Sequence, residues 1–462
     1  MKSGVDPALA HAYAYSGSYR SMQRGLDAVE TANELRRRFC IPTPETSRDG
    51  VAVLNDLITA AEPGLVGNTQ ENFFGWVMGG SDITGVAADW LTSVWGQNAA
   101  IYQTAPAAAI AEEAVQAWLL DLLDLPRESS VGFVTGATMA GFVGLAAARS
   151  EVLLREGYNL ELDGLQGAPF IKVFMSDDTH ISNLAALRYL GFGRSNFVCV
   201  PSNRQGVMQV AKLEDLMNEH QGPKIIVGTA GHINSGGFED FRNLSRLAKL
   251  HNAWLHVDGA FGLWARVLQE KSSLTQGVEL ADSWSVDGHK WLQIPYDAGF
   301  AIVKNQDAHR RAMDISASYL NSKPEDGRNP TELNPELSRR ARGFAAWATI
   351  QSMGRSGIRQ MVSRHCAAAT SMSKSLQQKP GIKILNQVEL NQVVLAFYKD
   401  SENVTEAVAE AINAGGNSFV RTTDWKEKRA MRISIISKDA TQETGRDLAN
   451  HIAKKWDDFQ AT

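Results

Sequence analysis

Lys290 stands between a histidine and a tryptophan in SWSVDGHKWLQIP, flanked by the short apolar runs SWSV (283–286) and GFAIV (299–303). An ammonium buried among such runs without a partner is costly, so the position calls for chemistry that shares its charge. Polar groups recur at the same kind of place, just after an apolar run. Thr135, Gly136, Ala137 and Thr138 follow VGFV (131–134). This is a strand, a turn of small residues and a helix, whose free N–H groups and dipole suit a phosphate, and Thr138 adds a hydroxyl. His180 opens a helix after KVFM (172–175), and Asp258 follows WLHV (254–257) beside Gly259 and Ala260, which are too small to block a ligand. Taken singly, these are an N-cap, a helix start, an Asp-Gly turn and a surface lysine.

Taken together, they are the four parts that pyridoxal 5′-phosphate requires: an amine for a Schiff base, an anion for the ring nitrogen, a flat group over the ring and a cradle for the phosphate. The carboxylate raises the pKa of the ring nitrogen and keeps the ring an electron sink. A desolvated lysine beside cationic groups becomes a better nucleophile because its own pKa falls.

The elements that position these groups follow from the alternation of the chain. Seven apolar runs, the five above together with FVCV (197–200) and IIVG (225–228), are mostly separated by helical stretches at 139–156, 180–190, 211–220 and 238–251. Such a series predicts an α/β fold with a mainly parallel, doubly covered sheet and ligands at the carboxyl ends of its strands. The runs at 283–286 and 299–303 have no helix between them, which predicts an antiparallel edge strand. Before the series lie a polar helical region punctuated by Pro42, Pro44 and Pro63, an irregular aromatic stretch NFFGWVMGGSDITG, and a helix ending at Pro126. After it, NSKPEDGRNPTELNPELS (321–338) reads as a lid, and the tail from about 380 reads as a small α+β domain. The expected division is an extension with a pocket loop at 1–103, a large cofactor-binding domain at 104–375 and a small C-terminal domain at 376–462.

Lys and Arg (46) and Asp and Glu (51) are interspersed along the 462 residues, giving a formal net charge of -5 with no basic stripe of the kind nucleic acid selects. The first thirty residues lack an apolar core behind a positive start, and no later run approaches ~20 uninterrupted apolar residues. The expectation is a cytoplasmic protein without a membrane or nucleic-acid partner. Cys40, Cys199 and Cys366 show no metal-ligand spacing, and no metal is expected.

ADSWSVDGHKWLQIPYDAG resembles the signature of the group II pyridoxal-dependent decarboxylases, which include aromatic amino acid, histidine and glutamate decarboxylases. TGATMAGFVGLAAAR, SDDTHISN and WLHVDGAFG occur in the family's order, and the resemblance covers about residues 70–440. It implies a type I aminotransferase-like fold and decarboxylation of an L-amino acid with an aromatic or other medium-sized side chain. It also implies a homodimer with shared active sites. By the same resemblance Lys290 is the Schiff-base lysine, Asp258 meets the ring nitrogen, His180 stacks on the ring, and Ala260 lies under its other face. Thr229 borders the ring, and His289 lies with Ala137 and Thr138 near the phosphate.

Two departures stand out. The stretch 321–338 contains no tyrosine where the family commonly carries its proton donor; Tyr319, Tyr102 and His180 are the nearest substitutes. His180 suits the task because its pKa lies nearer neutrality than a phenol's. The aromatic stretch lacks the family's closing proline and threonine, so Phe73, Phe74 and Trp76, with Tyr102, are the candidate pocket lining. Because the fold does not dictate which bond breaks, transamination or an aldolase-like cleavage is the alternative, with Arg432 available to grip a carboxylate.

Overall fold

The computed structural model describes residues 5–315 and 327–461. Three N-terminal helices, α1 (Pro7–Ser21), α2 (Ala32–Phe39) and α3 (Gly50–Ala61), precede α4 (Ile83–Trp95) and α5 (Pro106–Leu122). Their starts follow from local chemistry: Asp6, Asp49 and Asp82 cap α1, α3 and α4, and Thr31 with Glu34 forms a capping box on α2.

The alternating region then runs β1 (Ser130–Val134), α6 (Ala137–Arg155), α7 (Leu160–Asp163), β2 (Lys172–Ser176), α8 (Ile181–Tyr189), β3 (Phe197–Val200), α9 (Val210–Glu219), β4 (Lys224–Thr229), α10 (Phe241–Leu250), β5 (Trp254–Asp258), β6 (Ser283–Asp287), β7 (Gly299–Val303) and α11 (Gln306–Met313). All seven apolar runs form strands, in the spatial order β1-β7-β6-β5-β4-β2-β3. Pairing is parallel from β3 through β6, whereas β7 is antiparallel to both β6 and β1. The expected antiparallel strand exists, but it is not at an edge. All five of its residues are buried, which an interior place between two strands provides. The edge positions fall to β1 and to the half-exposed β3.

α6 packs across the sheet. Among the described residues it alone is long and apolar enough to cross a membrane, yet 61% of that window is buried, as expected of a core helix.

The described part of the expected lid, 327–338, packs against the large sheet rather than standing over the cavity. Pro330, Thr331, Leu333 and Asn334 are buried, covering the outer edge of β1. His309 ties the segment down, with Nδ1 2.8 Å from Ser130 Oγ and Nε2 3.1 Å from the Leu333 carbonyl. Residues 321–326 and Tyr319 lie outside the described residues.

The 36-residue α12 (Arg342–Gln377) follows, broken by a non-helical Gly354. Then come β8 (Ile382–Ile384), β9 (Gln392–Lys399), β10 (Glu402–Asn403), α13 (Thr405–Asn413), β11 (Arg421–Trp425), β12 (Lys428–Ser434) and α14 (Gln442–Ala461). These strands make one antiparallel sheet. The end of α12 (Ala368, Ala369, Met372 and Leu376) is part of that sheet's core, so the expected boundary at 375 falls inside a helix that the small sheet already uses.

Candidate active site

The carboxyl ends of the parallel strands open into a cavity of about 290 Å³. Its walls include Thr135 to Met139 after β1, His180 and Ser182 after β2, Thr229 and Gly231 to Ile233 after β4, Asp258, Ala260 and Phe261 after β5, and Asp287, His289 and Lys290 after β6. Ala137, Thr138, His180, Thr229, Asp258, Ala260, His289 and Lys290 are therefore brought together from five strand ends.

Each group is held by local structure. His180 is the N-cap of α8; its Nδ1 accepts from the Ser182 N–H at 3.3 Å and lies 2.7 Å from Ser182 Oγ. Burial pushes its pKa below the usual histidine value, partly opposed by Asp258. The neutral ring with Nδ1 accepting carries its proton on Nε2. Asp258 is buried, with Oδ2 accepting from Asn183 Nδ2 at 2.7 Å and Oδ1 from the Ala260 N–H at 3.1 Å. Behind it on β5, His256 is buried with Nδ1 2.8 Å from Ser283 Oγ, and burial pushes its pKa down to about 4.

Sequence reasoning missed Asp287, the last residue of β6. Its Oδ2 lies 2.8 Å from Lys290 Nζ; its Oδ1 accepts from the Ala137 N–H at 2.5 Å and lies 3.4 Å from His289 Nε2. The rule that singled out Asp258, a carboxylate closing a strand, would also have found it. Asn183, Ser182 and His232 were missed as well. His232 Nε2 is engaged by the Asp178 carbonyl at 3.1 Å and Nδ1 by the Asn234 N–H at 3.2 Å, so this ring is a fixed wall.

The expected pocket aromatics are elsewhere. Phe73 stacks on Phe419, with centroids 4.7 Å apart, and on Trp76. Phe74 belongs to the core of the small sheet and exchanges backbone hydrogen bonds with Phe419 and Ser434. Trp76 is half exposed beneath the Arg421 guanidinium. Tyr102 lies beside Gly327, its N–H bonded to Asn329 Oδ1 at 3.0 Å. None of the four lines the cavity; packing across the chain, invisible in the local sequence, claims the first three, by ring stacking for Phe73 and Trp76 and in the small-sheet core for Phe74.

The cavity suits a flat ligand bearing an anion. No side chain of its own turn caps α6. A Cβ on Gly136 would lie 2.9 Å from His289 Cε1 and 3.1 Å from Asp287 Oδ1, so the space beside the helix start exists only because residue 136 is glycine. A lysine amine, a buried carboxylate and an imidazole face the same space. These residues fit pyridoxal 5′-phosphate.

Comparison with known proteins agrees with this fit. The pyridoxal-dependent decarboxylase conserved domain matches residues 34–398. An aromatic-L-amino-acid decarboxylase of Bacillus atrophaeus is 26% identical over 427 residues, covering 88% of this chain and 86% of that protein. A phenylacetaldehyde synthase of Arabidopsis thaliana is 24% identical over 404 residues, covering 83% and 81%. In fold, the crystal structure of Oryza sativa TDC with PLP and tryptamine superposes with a TM-score of 0.91 at 20% identity, covering 100% of this chain and 99% of that one. Catharanthus roseus tryptophan decarboxylase in complex with L-tryptophan gives 0.88 at 18% identity, covering 99% and 100%. A domain match over most of the chain, on a type I fold, makes this chain a member of the pyridoxal-dependent decarboxylase family, carboxy-lyases that work with pyridoxal phosphate.

Proposed function

We propose that the chain decarboxylates an L-amino acid with an aromatic or other medium-sized side chain, with Lys290 as the amine that holds the cofactor. The observation that carries this reading is the convergence of Lys290, Asp258, His180 and the start of α6 on one cavity. The cofactor, when bound, supplies an electron sink for the substrate's α carbon. The chain's residues do the rest. Asp258, oriented by Asn183 and the Ala260 N–H, meets the ring nitrogen. His180 and Ala260 hold the ring between them, with Thr229 at its border. Ala137, Thr138 and His289 receive the phosphate. His180 in its imidazolium form, made a stronger acid by burial, is the group that returns a proton to the substrate in place of a loop tyrosine, and it becomes the neutral ring as it does so. The relatives named aromatic-L-amino-acid decarboxylase support the substrate class.

One observation favours a second reading. Arg432 is buried, its pKa pushed down to about 10 by burial and then by Arg421. Its Nη1 donates to Asn234 Oδ1 at 3.3 Å, and its Nε has no partner among the described residues. A carboxylate gripped by such a group stays on the substrate, which suits transamination or aldol-type cleavage. Incubating the holoenzyme with L-amino acids and β-hydroxy amino acids, and measuring carbon dioxide, amine, keto acid and aldehyde in parallel, separates the two. Keto acid or aldehyde without carbon dioxide from any substrate would end the decarboxylase reading.

The same proposal includes a homodimer. α1, α2 and α3 bury no residue of their own, and Leu9, Tyr13, Trp90, Leu91, Val94 and Trp95 on α1 and α4 are exposed. A second copy would cover this apolar surface. Sedimentation at micromolar concentration should give twice the 50.4 kDa chain mass; a monomer would refute the dimer.

A further inference from the structure

We propose that Asp287 is a built-in competitor for the anion site at the start of α6, and that it limits how tightly the chain holds a phosphate-bearing ligand. The proposal rests on the reading above that α6 receives the cofactor phosphate.

Three groups that would favour an arriving phosphate already converge on this one carboxylate: the Ala137 N–H and His289 Nε2 on Oδ1, and Lys290 Nζ on Oδ2. The side chain is 3% exposed, so bulk salt screens its charge little. Helix N-termini favour anions, and here the protein supplies its own. The arrangement has a clear use in the cofactor-free chain: it compensates the Lys290 ammonium, which would otherwise be left half-buried and unpaired. It also has a cost. A phosphate seated on the same N–H groups meets a fixed like charge unless Asp287 releases Ala137, and close like charges weaken binding. No backbone adjustment of the turn relieves this readily. Gly136 is pinned from behind by Gly299, where a Cβ would lie 2.4 Å from the Gly136 Cα.

Asp287→Asn separates these effects, because it keeps the shape and an acceptor for the Ala137 N–H while removing the charge. The probes are pyridoxine 5′-phosphate and pyridoxine, which lack an aldehyde and so cannot bond to Lys290. Equilibrium dialysis against the cofactor-stripped full-length protein gives the affinity of each, and the ratio of the two isolates the phosphate. Wild type should prefer the phosphorylated probe, and Asp287→Asn should raise that preference about tenfold or more, the scale of one removed close like charge. The melting temperature of the cofactor-free variant should fall at the same time, as Lys290 loses its partner. Tighter phosphate binding in a less stable protein is a combination that mere structural damage does not produce. If wild type prefers the phosphorylated probe and the variant's preference is unchanged or smaller, the Asp287 proposal is overturned while the cradle stands. If wild type shows no preference, the cradle itself is overturned and Asp287 with it.

Discussion

The side-chain amide of Asn183 donates to Oδ2 of Asp258 at 2.7 Å, joining the first turn of α8 to the end of β5 across 75 residues of sequence. His180 caps the same helix. One rigid element thus sets the proposed stacking imidazole and orients the carboxylate proposed to meet the ring nitrogen. Asn183→Ala should leave a buried carboxylate oxygen short of its donor, at a cost of about 1–3 kcal/mol. Cofactor affinity, measured by dialysis, should weaken by roughly tenfold or more. An unchanged affinity would show that Asp258 needs no such support.

Lys290→Ala should remove covalent attachment of the cofactor and all turnover while the fold remains. Borohydride treatment of the holoprotein followed by peptide mass spectrometry should find the adduct on the wild-type peptide containing Lys290 and no adduct in the variant, with far-ultraviolet dichroism unchanged. Normal turnover in the variant would remove Lys290 from the site.

Glu239 gives a pH-dependent expectation outside the cavity. Burial pushes its carboxyl up to about 8 from 4.5, against the hydrogen bond that Oε2 accepts from the Met208 N–H at 3.0 Å. The unfolded chain releases this proton above 4.5 while the folded chain keeps it until about 8, so stability is lost as pH rises through that window. Glu239→Gln keeps the acceptor and removes the penalty. Denaturant titrations should show a gain on the order of 3 kcal/mol at pH 8 that shrinks towards zero near pH 5. An equal gain at both pH values would rule out ionisation as its source.

Arg339 and Glu112 form a buried pair, Nη1 to Oε1 at 2.7 Å with both side chains 1% exposed, and Arg339 also donates to the Ala99 and Phe133 carbonyls. Arg339→Met should cost about 3–5 kcal/mol because it strands a buried carboxylate. Adding Glu112→Met should recover much of that loss in urea melts. If the double variant is no more stable than Arg339→Met alone, the carbonyl contacts matter more than the ion pair.

The large sheet was legible in the sequence because each of its strands is a short run of β-branched or aromatic residues, and the cavity because its polar groups close those runs. What stayed hidden depends on partners far along the chain. Direction could be inferred for β7 from the missing crossover helix, but its place between β1 and β6 could not, since order in a sheet is set by pairings across long stretches of chain. Phe73, Phe74 and Trp76 look alike whether they line a pocket or pack elsewhere; Phe419 stacks with Phe73 and Trp76, and the core of the small sheet takes Phe74. The segment 321–338 reads as a lid by its Pro, Gly and Asn content, but its described part, 327–338, is tucked against the sheet. Its polar side chains instead bond to backbone, as Asn334 Nδ2 does to the Pro330 carbonyl at 2.6 Å, which lets an irregular stretch lie buried.

The insertion of β7 between β1 and β6 also bears on the order in which the site is assembled. Ser130 and Val303, paired across that strand, are 173 residues apart. The turn before α6 and the loop bearing Lys290 flank β7 on opposite sides, and Gly299 is the wedge that holds Gly136 against Asp287. Until β7 is in place, the proposed phosphate half and the half bearing Lys290 belong to a sheet with a gap in it. Contacts this distant in sequence form late. The ability to retain cofactor is therefore a marker that the whole sheet has closed, and a chain halted before residue 299 should carry most of the site's residues and still have no site.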